Sequence, residues 1–520
     1  MKNIKLIKRK VSTLILIPVL IALTVATGCK KGAFDINNNN PNKPTTVQTN
    51  YILSAALTST ANLMYNGNED ILDNWIGYWT QSGAYTASNT YVLYQLTSGT
   101  GSGNWDGAYN NLSNYNNLLN TVGTDGNLGT YRAIGMIMES FVFQRIVDLY
   151  NSAPYSSALK LNAQYSYTYD SGSAIYKSCI SKIDSAVAIL KSGATNINLV
   201  NPAGYDVMFS GHTDQWIKFA NTLKLKMLLR QTQSTENGSL GDAAVKSALA
   251  GYTTSDFLGA GEDASVNPGY STASNSQENP LYADVVKDAT GTVTGDEKYY
   301  RANAYAVKFY KTHNDIRDSA FYLVNGDGEI RGRVYGSTDG SEANSVISAL
   351  AAYGMNPSAT EDAPIIPAFE SLFLQAEALQ RGYITGATAG ATYNSAVAES
   401  FRILGLSAAA AGVYTSQNDA TTNFAMASDK ITLIITQKWA ACNTFDPLES
   451  YSDWRRLNIP ASIIDNLSIY PGNQATHIPY RLPYPTSELN FNRANVPDGG
   501  TGTESLTSKI FWMPTITGRD

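Results

Sequence analysis

Apolar residues recur along most of this chain with the three-to-four-residue period of α-helices. In YRAIGMIMESFVFQRIVDLYN, one stripe holds Ile134, Ile137, Met138, Phe141, Val142 and Leu149. Met136, Phe143, Val147 and Tyr150 make the other side apolar too, which predicts a helix enclosed by neighbours. In DQWIKFANTLKLKMLLR, Trp216, Phe219, Ala220, Leu223 and Met227 share a face, and Asp214 is placed to cap. PAFESLFLQAEALQRG turns Phe369, Leu372, Phe373, Ala376 and Leu379 inward, with Pro367 in the first turn and Gly382 as the stop. Ile431, Ile435, Trp439 and Cys442 make a further inward stripe. FLQAEALQRGYI and TYNSAVAESFRILGL, joined by a Gly/Ala/Thr turn, read as a helix–turn–helix pair of loosely tetratricopeptide type, and AIYKSCISKIDSAVAILKSG as half of another. Gly/Ser/Thr/Asn-rich stretches at about 83–108, 251–300, 324–362 and 461–510 are too long for plain connections and are candidates for function. FYLVNGDGEIRGRVYG predicts a β-hairpin around Asn325–Gly328.

The N-terminal pattern differs. A basic start precedes an apolar run from Val11 to about Val25, then small residues and Cys29. Three readings fit: a short transmembrane anchor, an ordinary cleaved secretory signal, and a lipoprotein signal ending at Cys29. Val25-Ala26-Thr27-Gly28-Cys29 resembles a bacterial lipobox, with Ala26 where Leu is commoner. This reading accounts for the most features, since a polar segment with Asn37–Asn40, Pro41 and Pro44 follows as a tether of roughly 20–25 Å reach. The division expected is therefore 1–28 signal, 29–46 lipidated cysteine and tether, and 47–520 one helical domain.

Composition narrows the functional classes. Of the 520 residues, 43% are hydrophobic and 15% charged. Without 1–28 the chain carries 32 basic against 43 acidic side chains, a net charge of −11, which disfavours nucleic acid and anionic lipid. Cysteine is limited to Cys29, Cys179 and Cys442, so there is no disulfide framework or zinc spacing; Cys179 and Cys442 read as buried hydrophobes. His212, His313 and His477 are far apart, and no G-x-S-x-G, H-E-x-x-H or phosphate-loop motif occurs. No catalytic residue, metal site or cofactor is expected. Glu370 and Glu377, seven apart on one helix, are the kind of carboxylate pair a glycosidase uses, but a solvated face or structural pairing accounts for them better.

Five stretches in order resemble the SusD/RagB family of Bacteroidetes outer-membrane lipoproteins, in its SusD-like branch. They are FDINNNNPNKPT, IVDLYNSAPYSSALK with QYSYTYDSGSAIY, MFSGHTDQWIKFANTLKLKMLLR, QKWAACNTFDPLESYSDWRRLNIP and RLPYPTSELNFNRANV. Ala153 and Ser450-Tyr451-Ser452 depart from the family pattern. The resemblance implies a mostly α fold, a scaffold of tetratricopeptide-like helical pairs with loop-rich insertions and a few short β-hairpins. It further implies a lipid-anchored protein of the outer membrane's outer surface that caps a TonB-dependent (SusC-like) β-barrel transporter. The ligand so implied is an oligosaccharide, with a peptide as the alternative; a surface glycoside hydrolase fits less well.

Recognition of a neutral glycan needs flat aromatic faces beside amides and hydroxyls. NWIGYWTQSGAYTASNTYVLYQLTSGTGSGNWDGAYNNL supplies Trp75, Trp79, Tyr85, Tyr91 and Trp105; Tyr270 and Tyr282 are the mid-chain candidates. Trp75 and Trp79 have the helical spacing of core residues, whereas Tyr85, Tyr91 and Trp105 flank loop. Trp439, Trp454, Arg455 and Arg456 are expected to be structural, the arginines tying helix ends to the C-terminal loop. The lipobox reading predicts that Cys29→Ala releases the protein from the membrane fraction; retention there would favour an uncleaved apolar helix.

Overall fold

The computed structural model describes residues 48–65, 69–160, 166–193, 202–274, 276–351, 358–497 and 505–516. The expected signal, Cys29 and tether lie outside them. The body is built from α1 (Thr49–Tyr65), α2 (Asp70–Trp75), β1 (Trp79–Gln81), α3 (Ser102–Val122), α4 (Gly129–Tyr150), α5 (Gly172–Gly193), α6 (Thr213–Arg230) and β2 (Ala264–Val266), in that order. It continues with β3 (Tyr300–Ala302), α7 (Ala304–Thr312), β4 (Ala363–Ile366), α8 (Ala368–Gln380), α9 (Ala389–Ile403), α10 (Ala408–Thr415), α11 (Lys430–Cys442) and α12 (Pro447–Leu457). Residues from Thr49 onward form one compact unit. Helices pack as consecutive antiparallel-type pairs, α3 with α4, α4 with α5, and α8 with α9, and α11 lies against α8. The mostly α architecture is as anticipated.

The helices expected at α4, α6, α8 and α11 form, though Pro367, expected in the first turn of α8, is the residue just before it. Asp429 accepts the Ile431 and Thr432 amides at 3.0 and 3.1 Å to start α11, and Pro447 occupies the first turn of α12 behind Asp446. Gly382 follows α8 with φ +70°, a left-handed position that suits glycine. Asp214 lies inside the first turn of α6 rather than capping it, because α6 begins at Thr213 after His212. The turn at Asn325–Gly328 forms, with Asn325 N–H donating to Glu329 O at 2.8 Å, but its flanks make isolated bridges, not a hairpin ladder. The two small sheets join distant segments instead: β1 pairs antiparallel with β3 (Trp79↔Ala302, Thr80↔Arg301, Gln81↔Tyr300) and β2 with β4.

The helices surround a buried network of charge. α4 contributes Arg145 and Asp148, α6 Lys226 and Arg230, α8 Glu370 and Glu377, α11 Lys438, and α12 Glu449, Asp453, Arg455 and Arg456. Glu449 is its hub. It meets Lys226 at 2.9 Å and Lys438 at 2.7 Å, and accepts both terminal nitrogens of Arg230. Glu377 and Asp453 bind Arg456 at 2.6–2.8 Å. Arg455 reaches the Tyr480 carbonyl at 3.1 Å, so it ties α12 to the C-terminal segment as expected, whereas Arg456 turns inward to α8. Trp512 seals the network from the C-terminal side, its Nε1 donating to Asp148 Oδ1 at 3.0 Å. Despite burial, the Arg456 guanidinium holds Glu377 down to about 2. Glu370 and Glu377 are therefore structural partners of cations, and neither is on a solvated face. Cys179 and Cys442 are buried free thiols.

Removing Glu449 leaves three buried cations without their shared partner. Glu449→Ala is expected to lower unfolding free energy by about 3–5 kcal/mol, read by denaturant titration. A loss within about 0.5 kcal/mol would deny the network its organising role.

Candidate ligand-binding face

The seven aromatic candidates separate into core and surface. Trp75 is fully buried, its ring against Tyr94 and Tyr451 at 6.4 and 5.8 Å. Trp79 is 2% exposed against Tyr300 at 5.4 Å. Trp105 is 2% exposed inside a cage of Tyr109, Tyr150, Tyr169 and Tyr484 at 5.0–6.0 Å. Tyr270 is buried as well. These four offer no free face to a ligand and are corrected to core. Trp75, Trp79 and Trp105 each meet a ring from a distant segment, Tyr451, Tyr300 and Tyr484, which the local sequence does not reveal. Tyr85 is 42% exposed, and Tyr91 and Tyr282 are half-buried.

Tyr85 sits on a loop that is held firmly although it lacks regular structure. Gln81, the last residue of β1, clamps it from both sides: its Nε2 donates to Thr86 O at 2.6 Å and its Oε1 accepts Ser88 N–H at 3.1 Å. Ser82 N–H donates to Tyr299 O at 2.7 Å, extending the β1–β3 ladder by one step. The Ser82 hydroxyl bonds Asn344 Oδ1, and Asn344 Nδ2 donates to Lys298 O at 3.2 Å. Arg333 donates to Gln81 O at 3.2 Å from beneath. The result sets the Tyr85 ring edge-on to Tyr299, centroids 5.2 Å apart, with Tyr299 in turn against Tyr300 at 4.9 Å. Tyr299 was not singled out from sequence. The Tyr-Tyr pair at the end of a Gly/Thr/Asp-rich stretch was the available signal, but only the β1–β3 pairing brings it to Tyr85, more than two hundred residues away.

A cavity of about 380 Å³ is formed by the chain that follows this loop, lined by Ser88, Thr90, Tyr91, Thr97, Thr100 and Ser102 among others. Its polar side chains are all hydroxyls, and the glycines at 99, 101 and 103 bring backbone to its wall. Gly101 has φ +68°, and a Cβ there would come within 2.6 Å of Leu482, so the wall needs glycine at this point. The Tyr91 hydroxyl lies 3.2 Å from that of Tyr300. Neutral donors and acceptors beside exposed ring faces match a ligand rich in hydroxyls and C–H surface.

A second cavity, of about 370 Å³, lies between α7 and the short helical turn Ala461–Asn466. Tyr305, Phe309 and His313 line it at four-residue spacing along α7 and the residue that ends it, opposite Ser462 and Asp465. One further cluster bears on metal chemistry: Glu370, Asp446 and Glu449 are close enough to share an ion. Lys226 Nζ already sits among them, at 2.9, 3.2 and 2.9 Å.

A family model described as starch-binding and associating with the outer membrane, of SusD-like type, matches residues 41–485. The chain belongs to the SusD-like family. Solved structures agree on the fold. A SusD/RagB family protein from Bacteroides thetaiotaomicron superposes with a TM-score of 0.70 at 21% identity, over 90% of this chain and 99% of that one. A SusD homologue from Bacteroides vulgatus gives 0.71 at 19% identity, over 89% and 98%. A chitin-binding SusD homologue from Flavobacterium johnsoniae gives 0.68 at 19% identity, over 88% and 98%. No curated protein matches the sequence. At such identities the SusD-like likeness fixes the scaffold, while the ring platform and hydroxyl cavity belong to this chain's own loops.

The core assignment has a direct check. Trp105→Ala should cost about 3–5 kcal/mol of stability, as expected for a buried ring. Tyr85→Ala should stay within about 0.5 kcal/mol in the same denaturation experiment.

Proposed function

We propose that this SusD-like protein is a non-catalytic glycan-binding lipoprotein of the outer membrane's outer surface, anchored through Cys29, that captures an oligosaccharide and hands it to a TonB-dependent β-barrel transporter. The single observation that carries the glycan reading is the exposed Tyr85 ring, pinned edge-on to the half-buried Tyr299, on the segment that leads into a cavity whose side-chain polarity is entirely hydroxyl. The family's starch-binding description and the chitin-binding homologue support the ligand class. Association with the outer membrane is in the family description too, and among the described residues no helix is long and apolar enough to cross a bilayer. The lid-like role and the transporter partner follow from the family resemblance. The carboxylates that sequence offered for glycosidase chemistry are fully buried against cations, which supports binding without cleavage.

A peptide is the second reading, favoured by the cavity beside α7. Tyr305, Phe309, His313 and Tyr335 give it ring surface, and Lys308 and Asp465 both line it while forming no ion pair with each other. A short chain with charged ends would complement that arrangement.

The test is a panel of soluble starch- and chitin-derived oligosaccharides and short apolar peptides, measured by titration calorimetry with product analysis. At least one glycan is expected to bind in the micromolar-to-millimolar range without release of shorter products. Tyr85→Ala and Tyr299→Ala should each weaken binding about tenfold, roughly 1.4 kcal/mol. Peptide binding lost in Lys308→Gln or Asp465→Asn, with no glycan bound, would transfer the assignment to the second cavity; product release would make the protein an enzyme.

A further inference from the structure

Behind the ring platform lies a group of carboxyls with too little positive charge. Glu69, Asp70 and Asp73, at the start of α2, are 5%, 8% and 3% exposed. Glu69 is paired with Arg145. Asp70 and Asp73 enter no ion pair among the described residues, and Asp73 Oδ1 is buried without a hydrogen-bond partner. These three line a cavity of about 10 Å³ together with Asp284, Trp79 and Thr444, room for little more than one water. Asp296, which lies within hydrogen-bond reach of Asp284, faces Asp70 from the segment before β3. The other groups facing the cluster are Asp446, ahead of α12, Lys226 of α6, acting on Glu69, the hydroxyls of Tyr300 and Tyr91 toward Asp70, and those of Tyr78 and Tyr322 toward Asp73.

This cluster is joined to the binding face by short contacts. The Tyr300 hydroxyl faces Asp70 on one side and the Tyr91 hydroxyl, 3.2 Å away, on the other. Ile71, next to Asp70, and Tyr91 both line the hydroxyl cavity. Trp79 and Tyr300, which pack together at 5.4 Å, begin β1 and β3, the antiparallel ladder whose Gln81–Tyr300 end leads to the contact of Tyr85 with Tyr299.

We propose that this cluster is a proton-held latch on the glycan face: with Asp70 and Asp73 protonated, α2 and the β1–β3 ladder close together and fix Tyr91 and Tyr299, and loss of those protons forces them apart and weakens binding. The part concerning binding rests on the glycan reading above. Two like charges in a cavity of this size have neither solvent nor a cation to separate them, so ionisation must be met by movement. Burial, then Asp296 and Glu69, push Asp70 up to about 7, and burial followed by Asp70 and Glu69 raises Asp73 well above the usual carboxylate range. The folded values lie above those of the unfolded chain, so the native state holds the extra protons. The stabilisation is full at acid pH and declines as pH rises through the folded values. Glu69 and Glu370, raised by burial to about 6 and about 7, shift stability in the same direction, so only the comparison of variants isolates the latch.

The full chain, Asp73→Asn, and Asp70→Asn with Asp73→Asn are compared from about pH 6 to about pH 8.5, a range that brackets the value of about 7 to which Asp70 is raised. Melting temperature and hydrogen exchange, corrected for intrinsic rate, are read without ligand, and affinity is read with chitotetraose and maltoheptaose. In the unsubstituted protein the amides of Trp79–Gln81 and Tyr300–Ala302 should exchange about tenfold faster at the upper pH, and glycan affinity should fall by a similar factor; in the double variant both should stay level. Equal pH dependence in all three proteins overturns the latch. A glycan bound with the same affinity at both pH values overturns its coupling to binding and leaves the glycan reading standing. If neither glycan binds at any pH the glycan reading fails, and the exchange comparison still decides the latch.

Discussion

The fold depends on Glu449 being surrounded by Lys226, Arg230 and Lys438 at a depth where water cannot intervene. Charges buried this completely are costly unless every one is met, and an apolar replacement of the same shape could be equally stable. What the ions add is register. α6, α8, α11 and α12 are each amphipathic or apolar on several sides, and packing alone tolerates small slips along such surfaces. A guanidinium bound through both nitrogens to one carboxylate tolerates far less, because the fork geometry is directional. The signature residues of α12, Glu449, Asp453, Arg455 and Arg456, are thus the point from which the helical scaffold is aligned.

That alignment reaches the binding face through aromatic contacts. Trp439 of α11 stacks on Tyr78 at 5.4 Å and donates to Ile76 O at 3.0 Å, fixing the chain between α2 and β1. Tyr78, in turn, is bonded to Ser450 of α12 at 2.6 Å. β1 therefore leaves the scaffold in a defined direction, and its pairing with β3 brings the 82–91 loop to Tyr299. Few of the residues that hold this loop are hydrophobic; it is fixed by side-chain amides and hydroxyls bonding to backbone, which is why a stretch rich in Ser, Thr and Asn is ordered here. The tryptophans of the same region go the other way. Their area is too large to leave in water when helices with matching surfaces are at hand, so tyrosines, which keep a polar end, are left to form the exposed platform.

Much of this was already determined by the sequence. Period located α4, α6, α8 and α11, and Gly382 marked the end of α8, because these signals are local and act within a few residues. The family likeness was legible for a similar reason: its stretches include the ion-bearing helices α6 and α12. Tyr85 was recognisable as a surface candidate because it lies in loop-forming sequence, whereas Tyr91 is half-buried in the helical turn Asn89–Val92. Tertiary structure alone decided the rest. Whether Trp75, Trp79 and Trp105 faced a ligand or the core depended on rings from α12, β3 and the C-terminal segment; whether Glu370 and Glu377 were solvated depended on cations from α6 and α12; and Tyr299 became part of the platform only through a two-strand ladder between distant segments. In each case the deciding partner is far away along the chain, and a one-dimensional pattern carries information about neighbours within a turn or two, not about which remote side chain will arrive to cover, neutralise or stack.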